Sequence, residues 1–166
     1  RGLVSKVAIP LWLLPLSVLV AEGLVAAVML GAFLVLLGLN GALGVSALWV
    51  VLLVAAVLVL VLGLGLLLSV VAVFLPDVRE ATGVLLQAGF WLTPIVYVVD
   101  ILPIWAQFWM QFNPFFWVVS GFQQALAYGE VPALATWLVP LGVGSGLLVM
   151  ALWLLVRSEA ALRDRL

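Results

Sequence analysis

The chain has 166 residues, of which 68% are hydrophobic and 8% charged, with a mean hydropathy of +1.45, whereas an ordinary soluble domain is about half apolar and about a quarter charged. No soluble core absorbs that much apolar surface. The net charge of −1 comes from six basic and seven acidic residues, and the lack of cysteine and histidine excludes disulfides, thiolate chemistry, the usual zinc and haem sites and any imidazole-dependent triad.

The chain opens at Arg1 without a methionine and is expected to be part of something longer. Its lead, RGLVSK, resembles the start of a signal peptide, but the apolar run behind it outlasts an h-region of about 7 to 15 residues and offers no small-residue cleavage site. A spanning helix is therefore predicted. Crossing a hydrocarbon core of ~30 Å takes about 20 apolar residues at about 1.5 Å each. Four segments qualify: 8–37, interrupted only by Glu22; 47–75, without any charge; 82–99; and 137–156. The first two exceed the minimum, which implies tilt or extension beyond the bilayer. The expected fold class is all-α, a polytopic transmembrane helical bundle forming a single domain over 1–166.

GLNGALGVS, residues 38–46, reads as a tight polar turn. In LPDVREA, residues 75–81, Pro76 ends the second span, and Asp77, Arg79 and Glu80 demand water. Residues 100–132 are of another kind, holding Pro103, Pro114 and Pro132, several amides, and Trp105, Phe108, Trp109, Phe112, Phe115, Phe116 and Trp117. The prolines divide the stretch into two short helices. Irregular backbone at membrane depth survives only where protein or a water-filled cavity covers it, so re-entrant helices are expected here.

All six basic residues, Arg1, Lys6, Arg79, Arg157, Arg163 and Arg165, fall in the lead, the 75–81 loop or the tail, which four crossings place on one side. The other side carries only Asp100 and Glu130. The positive-inside rule then puts both termini in the cytoplasm and the aromatic segment outside. Trp12 and Trp153 fit an inner interfacial belt, Trp49 and Trp137 an outer one.

Glu22 lies well inside the first span, where an ionised carboxylate is costly. Two readings stand: it lines or gates a polar pathway, or it is a protonated or paired group that fixes packing. Gly142, Gly144 and Gly146, with a Gly-x-x-x-Gly pair among them, read as a close helix contact, as do Gly63 and Gly65. The aromatics of 105–117 stack on sugar rings or anchor short helices at the interface. The single lysine, Lys6 in VSKVA, lacks a glycine-rich approach and a following Ser or Thr, so no phosphate-binding loop exists and any ATP is hydrolysed by another chain.

The run FLPDVREATGVLLQAGFWLTPIVYVVDILPIWAQFWMQFNPFFWVVSGFQQALAYGEVP resembles the signature half of the type-two ATP-binding-cassette exporter permeases, in particular those exporting O-antigen, capsular polysaccharide and teichoic acid. The matching positions are Phe74, Asp77 and Val78; Thr93, Pro94, Ile95 and Tyr97; Leu102 and Pro103; Asn113, Pro114 and Phe115; Gly129 and Pro132. Upstream, Lys6, Pro10, Leu14 and Pro15 resemble the family's entry into its third span. Two positions depart from the pattern: Pro76 stands where the family has an Arg, with Arg79 nearby, and Gln123 replaces another Arg.

The resemblance implies the carboxy-terminal two thirds of a permease, without the amphipathic amino-terminal helix and the first two spans. It implies a bacterial inner-membrane subunit that binds no cofactor itself, pairs with a second copy and is driven by a cassette ATPase holding ATP and Mg. The cargo it implies is a lipid-linked glycan, among membrane lipids and without nucleic acid. Glu22, Trp91, Tyr97, Trp105, Trp109, Phe112, Phe116 and Trp117 are expected along the pathway or exit, and Phe74, Asp77, Arg79, Thr93, Pro94, Asn113 and Pro114 carry the motif. The alternatives are a drug or lipid exporter of the same superfamily and a non-transporting membrane module or intramembrane enzyme using Glu22 and Asp100.

Overall fold

The structure, a computed structural model, describes residues 13–75, 77–95, 97 and 99–163. Lys6, Pro10, Trp12, Pro76 and Arg165, which carried expectations above, lie outside the described residues. Its regular elements are all helical, with no strand among the described residues. Helix α1 covers Leu13–Leu39, α2 Val50–Phe74, α3 Asp77–Trp91, α4 Ile104–Met110, α5 Pro114–Phe122 and α6 Ala135–Arg163. A 3-10 turn, Val45–Trp49, leads directly into α2, and a π-helical turn, Gln123–Ala127, extends α5.

Three helices are long and apolar enough to cross a membrane among the described residues: Leu16–Leu39, Val45–Ala72 and Ala135–Arg157. The segment expected to span at 82–99 instead forms α3, 15 residues that begin at Asp77 and end at Trp91. Both shifts have local causes. Asp77 and Glu80 sit in the first turn of α3, where carboxylates favour the positive end of the helix dipole, so the charges expected in a loop belong to the helix. At the other end Pro94 has no N–H to continue the ladder, and the residue before a proline is pushed out of the α region.

α1 closes with a Schellman motif: Gly41, at φ 67°, donates to Gly38 O at 3.0 Å, and Ala42 donates to Leu37 O at 2.9 Å. The glycines of the predicted 38–46 turn therefore cap the helix. α2 is the hub, touching α1, α3, α5 and α6. α1 rests on the bundle lightly, through Leu30 against the cluster of Val50, Leu53 and Ala125, and most of its surface is exposed.

The closest packing joins α2 to α6. A Cβ on Gly144 would stand 2.5 Å from Leu60 Cα, and one on Gly63 would run into the Gly144 carbonyl. The two backbones thus meet at a pair of glycines, as small-residue helix contacts in membranes do. Of the glycines expected at a close contact, Gly63 and Gly144 make it, whereas Gly142, Gly146 and Gly65 have open space at their Cβ positions. Below this contact Leu66, Val70, Ala151 and Leu155 form one cluster; above it Val50, Leu53 and Ala125 form another. Trp137 is half-buried and packs against the upper cluster, and its buried Nε1 has no hydrogen-bond partner among the described residues. Trp153 is exposed and lies 5.2 Å under the Arg157 guanidinium, as an interfacial pair would.

Gly144→Ala forces backbone apart from backbone and should cost about 1–3 kcal/mol. Gly142→Ala and Gly146→Ala should leave the thermal midpoint of the purified protein in detergent unchanged or slightly raised, since alanine is the better helix former.

Candidate functional site

The break after α3 gathers the motif residues. Thr93 is 3% exposed and its Oγ1 donates to Gly89 O at 2.7 Å, closing the last turn of α3 from within. The same oxygen accepts from Asn113 Nδ2 at 3.0 Å. Asn113 Oδ1 in turn accepts the Phe115 N–H at 3.0 Å, which makes Asn113 the N-cap of α5, with Pro114 in the first helical position where no N–H is wanted. One amide side chain therefore starts α5 and grips the end of α3. Pro94 is fully buried, and its carbonyl accepts from Gln123 Nε2 at 3.1 Å. Tyr97 folds back so that its hydroxyl donates to Trp91 O at 2.9 Å, covering a carbonyl that the broken helix leaves open.

The π-helical turn holds three other elements together. Ser46 Oγ, from the turn before α2, donates to Ala125 O at 2.7 Å inside the protein. Gln124 Oε1 accepts the Ala133 N–H at 2.8 Å just before α6. Gly129, at φ 68°, then turns the chain, with Glu130 N–H donating to Gln124 O at 2.8 Å. The wide turn satisfies its own ends while presenting Gln123, Gln124 and the Ala125 carbonyl in different directions.

The aromatics divide into two groups. On α4 and just beyond it, Trp105, Phe108, Trp109 and Phe112 are all exposed, at 55–69%. The rings of Phe108, Trp109 and Phe112 pack against each other with centroids 5.4 to 5.9 Å apart. Phe116 and Trp117, on α5, are half-buried and edge to face at 5.3 Å, and Trp117 Nε1 donates to Gln111 O at 2.8 Å. Trp91 is exposed at the end of α3 and meets Phe90 edge to face.

Not every expected residue joins this site. Glu22 is exposed on α1 and makes no hydrogen bond or ion pair among the described residues. Asp100 lies in a different element, the 3-10 turn Val99–Ile101. Phe74, the last residue of α2, and Asp77 and Arg79 at the start of α3 are exposed, with Asp77 about 21 Å from Trp91 by helical rise. The motif is thus two separate clusters, one at each end of α3. Ser46 and Gln124 escaped the sequence reading, and Gln123 drew notice only as a departure from a pattern. The available signal was the Gln-Gln pair a few residues before a glycine turn.

A sequence profile for the ABC-2 type transporter family matches residues 5–127, which takes in α1 to α5 and the π-helical turn. No curated protein matches the chain.

Asn113→Ala removes both the cap and the grip on Thr93, and should lower stability by about 1–2 kcal/mol. Thr93→Val alone should cost less. In a double-mutant cycle followed by thermal unfolding, the two losses should fall short of adding, because the shared hydrogen bond is counted in each.

Proposed function

The chain belongs to the ABC-2 type transporter family, whose membrane domains are permeases working with an ATPase cassette, and we propose that its cargo is a lipid-linked polysaccharide of the O-antigen, capsule or teichoic acid kind. The observation that carries this reading is the aromatic surface of α4, where Trp105, Phe108, Trp109 and Phe112 stay exposed and the last three pack ring against ring. Aromatic faces held at fixed angles suit passing sugar rings.

In this reading two copies of the permease pair in the bacterial inner membrane, both termini are cytoplasmic, and α3 with the residues behind it makes the fourth crossing. The run of α5 supports a re-entrant course for 100–132. Pro114, at its start, borders the same cavity as Leu64, ten residues before the end of α2, while Gly121 near its end abuts Leu53, close to the start of α2. α5 therefore climbs from partway down α2 towards its start. The exposed apolar faces of α1 and α3, the latter without one buried residue, leave surface for a second copy and for spans beyond this chain.

Replacing Trp105, Trp109 and Phe112 by leucine keeps apolar surface for anchoring and removes the ring faces. In the intact exporter this triple variant should still reach the membrane and co-purify with its ATPase, while surface polysaccharide falls at least severalfold. Normal surface glycan in that variant, or in one lacking residues 103–128, would refute the cargo assignment.

A further inference from the structure

A groove of about 570 Å³ runs between α2, α3 and α5, within the ~300–1,000 Å³ range of small-molecule sites. Leu64 and Leu68 of α2, Leu85 and Leu86 of α3, and Val118 and Val119 of α5 give it an apolar wall. Thr82, Thr93 and Asn113 also border it. Their side chains are already engaged: Thr82 Oγ1 donates to Val78 O at 2.6 Å, and Thr93 and Asn113 bind each other, Gly89 O and the Phe115 N–H. A guest needing hydrogen bonds finds these partners taken, whereas a hydrocarbon chain asks for none.

Length and charge identify the hydrocarbon. From Thr82 to Phe90 the groove wall follows α3 for about 12 Å at 1.5 Å per residue, and Leu92 and Thr93 carry it past the helix end, a length that approaches half of the ~30 Å hydrocarbon core and so one leaflet. Thr82, Leu85, Leu86 and Gly89 follow helical spacing, and Arg79 continues that stripe one turn earlier, three residues before Thr82 and seven before Leu86. Asp77 and Glu80 flank it off the stripe. Arg79 is exposed and forms no ion pair among the described residues. A cation thus stands at the charged mouth of a groove one leaflet deep.

We infer that this groove holds an acyl chain of an anionic phospholipid from the bilayer, with the phosphate at Arg79. The assignment concerns a lipid of the surrounding membrane and stands whether or not the exported cargo is a glycan; it needs only α3 to lie in the membrane.

The test is native mass spectrometry of the intact, detergent-purified protein supplied with dioleoyl phosphatidylglycerol or dioleoyl phosphatidylcholine. The wild type should retain the anionic lipid about fivefold more than the zwitterionic one, the worth of one basic residue near a lipid surface. Arg79→Gln should erase the preference, and Glu80→Gln should preserve it. Leu86→Trp, which fills the groove, should abolish retention of both lipids. Equal retention of the two lipids by the wild type, or equal loss of preference in Arg79→Gln and Glu80→Gln, would overturn the inference. Because Arg79 is exposed, that arm is readable even if Leu86→Trp fails to fold.

Discussion

The contact between Gly63 and Gly144 is the constraint on which the other elements depend. In hydrocarbon two helices gain nothing by hiding apolar side chains from lipid, so what holds them is the closeness of their backbones and the dispersion it brings. α2 and α6 meet there, and the apolar clusters above and below the glycines follow from that approach. With the pair fixed, α5 seats between them: Gly121 accommodates Leu53 Cδ2 and the Thr136 side chain, where a Cβ would stand 2.6 Å from the former. The aromatic segment is therefore carried by the same two helices that form the spine.

Polar side chains do the remaining work, at places where backbone order fails. α3 stops at Trp91, just before Thr93 and Pro94, α5 starts behind its cap Asn113, and the π-helical turn widens at Gln123; each irregularity exposes carbonyls or N–H groups that water cannot reach cheaply. Those needs are met mutually, so that the irregular points become the points of attachment. The bonds from Asn113 to Thr93 and from Gln123 to Pro94 join residues 20 and 29 positions apart.

Much of the fold was legible because hydropathy and proline placement act locally. Runs of apolar residues announced α1, α2 and α6, and Pro103 and Pro114 marked the starts of α4 and α5. The bounds of α3 were harder: hydropathy alone carried it through Thr93 and Pro94 and discounted Asp77 and Glu80, whose place in the first helical turn is set by the helix dipole and not by hydrophobicity. The glycine contact was predicted at the right helices and among the right glycines, but spacing within one helix does not say which of them faces the partner: Gly63 and Gly144 do, and Gly65, Gly142 and Gly146 do not. The convergence of Thr93, Asn113 and Gln123 was not legible as geometry, since it rests on long-range hydrogen bonds. The Gln123 amide fills a role that a motif comparison treats as a gap.

The π-helical turn has a mechanical consequence. Within three residues it ties Pro94 behind α3, Ala133 ahead of α6 and Ser46 ahead of α2. Three helices are thereby clamped at one rim, while Phe74, Asp77 and Arg79 at the far end of α2 and α3 stand exposed. The two ends of α3 are thus held unequally: side-chain hydrogen bonds fasten the rim beside the aromatic helix α4, while the Asp77 end offers its charges outward, where another molecule can reach them.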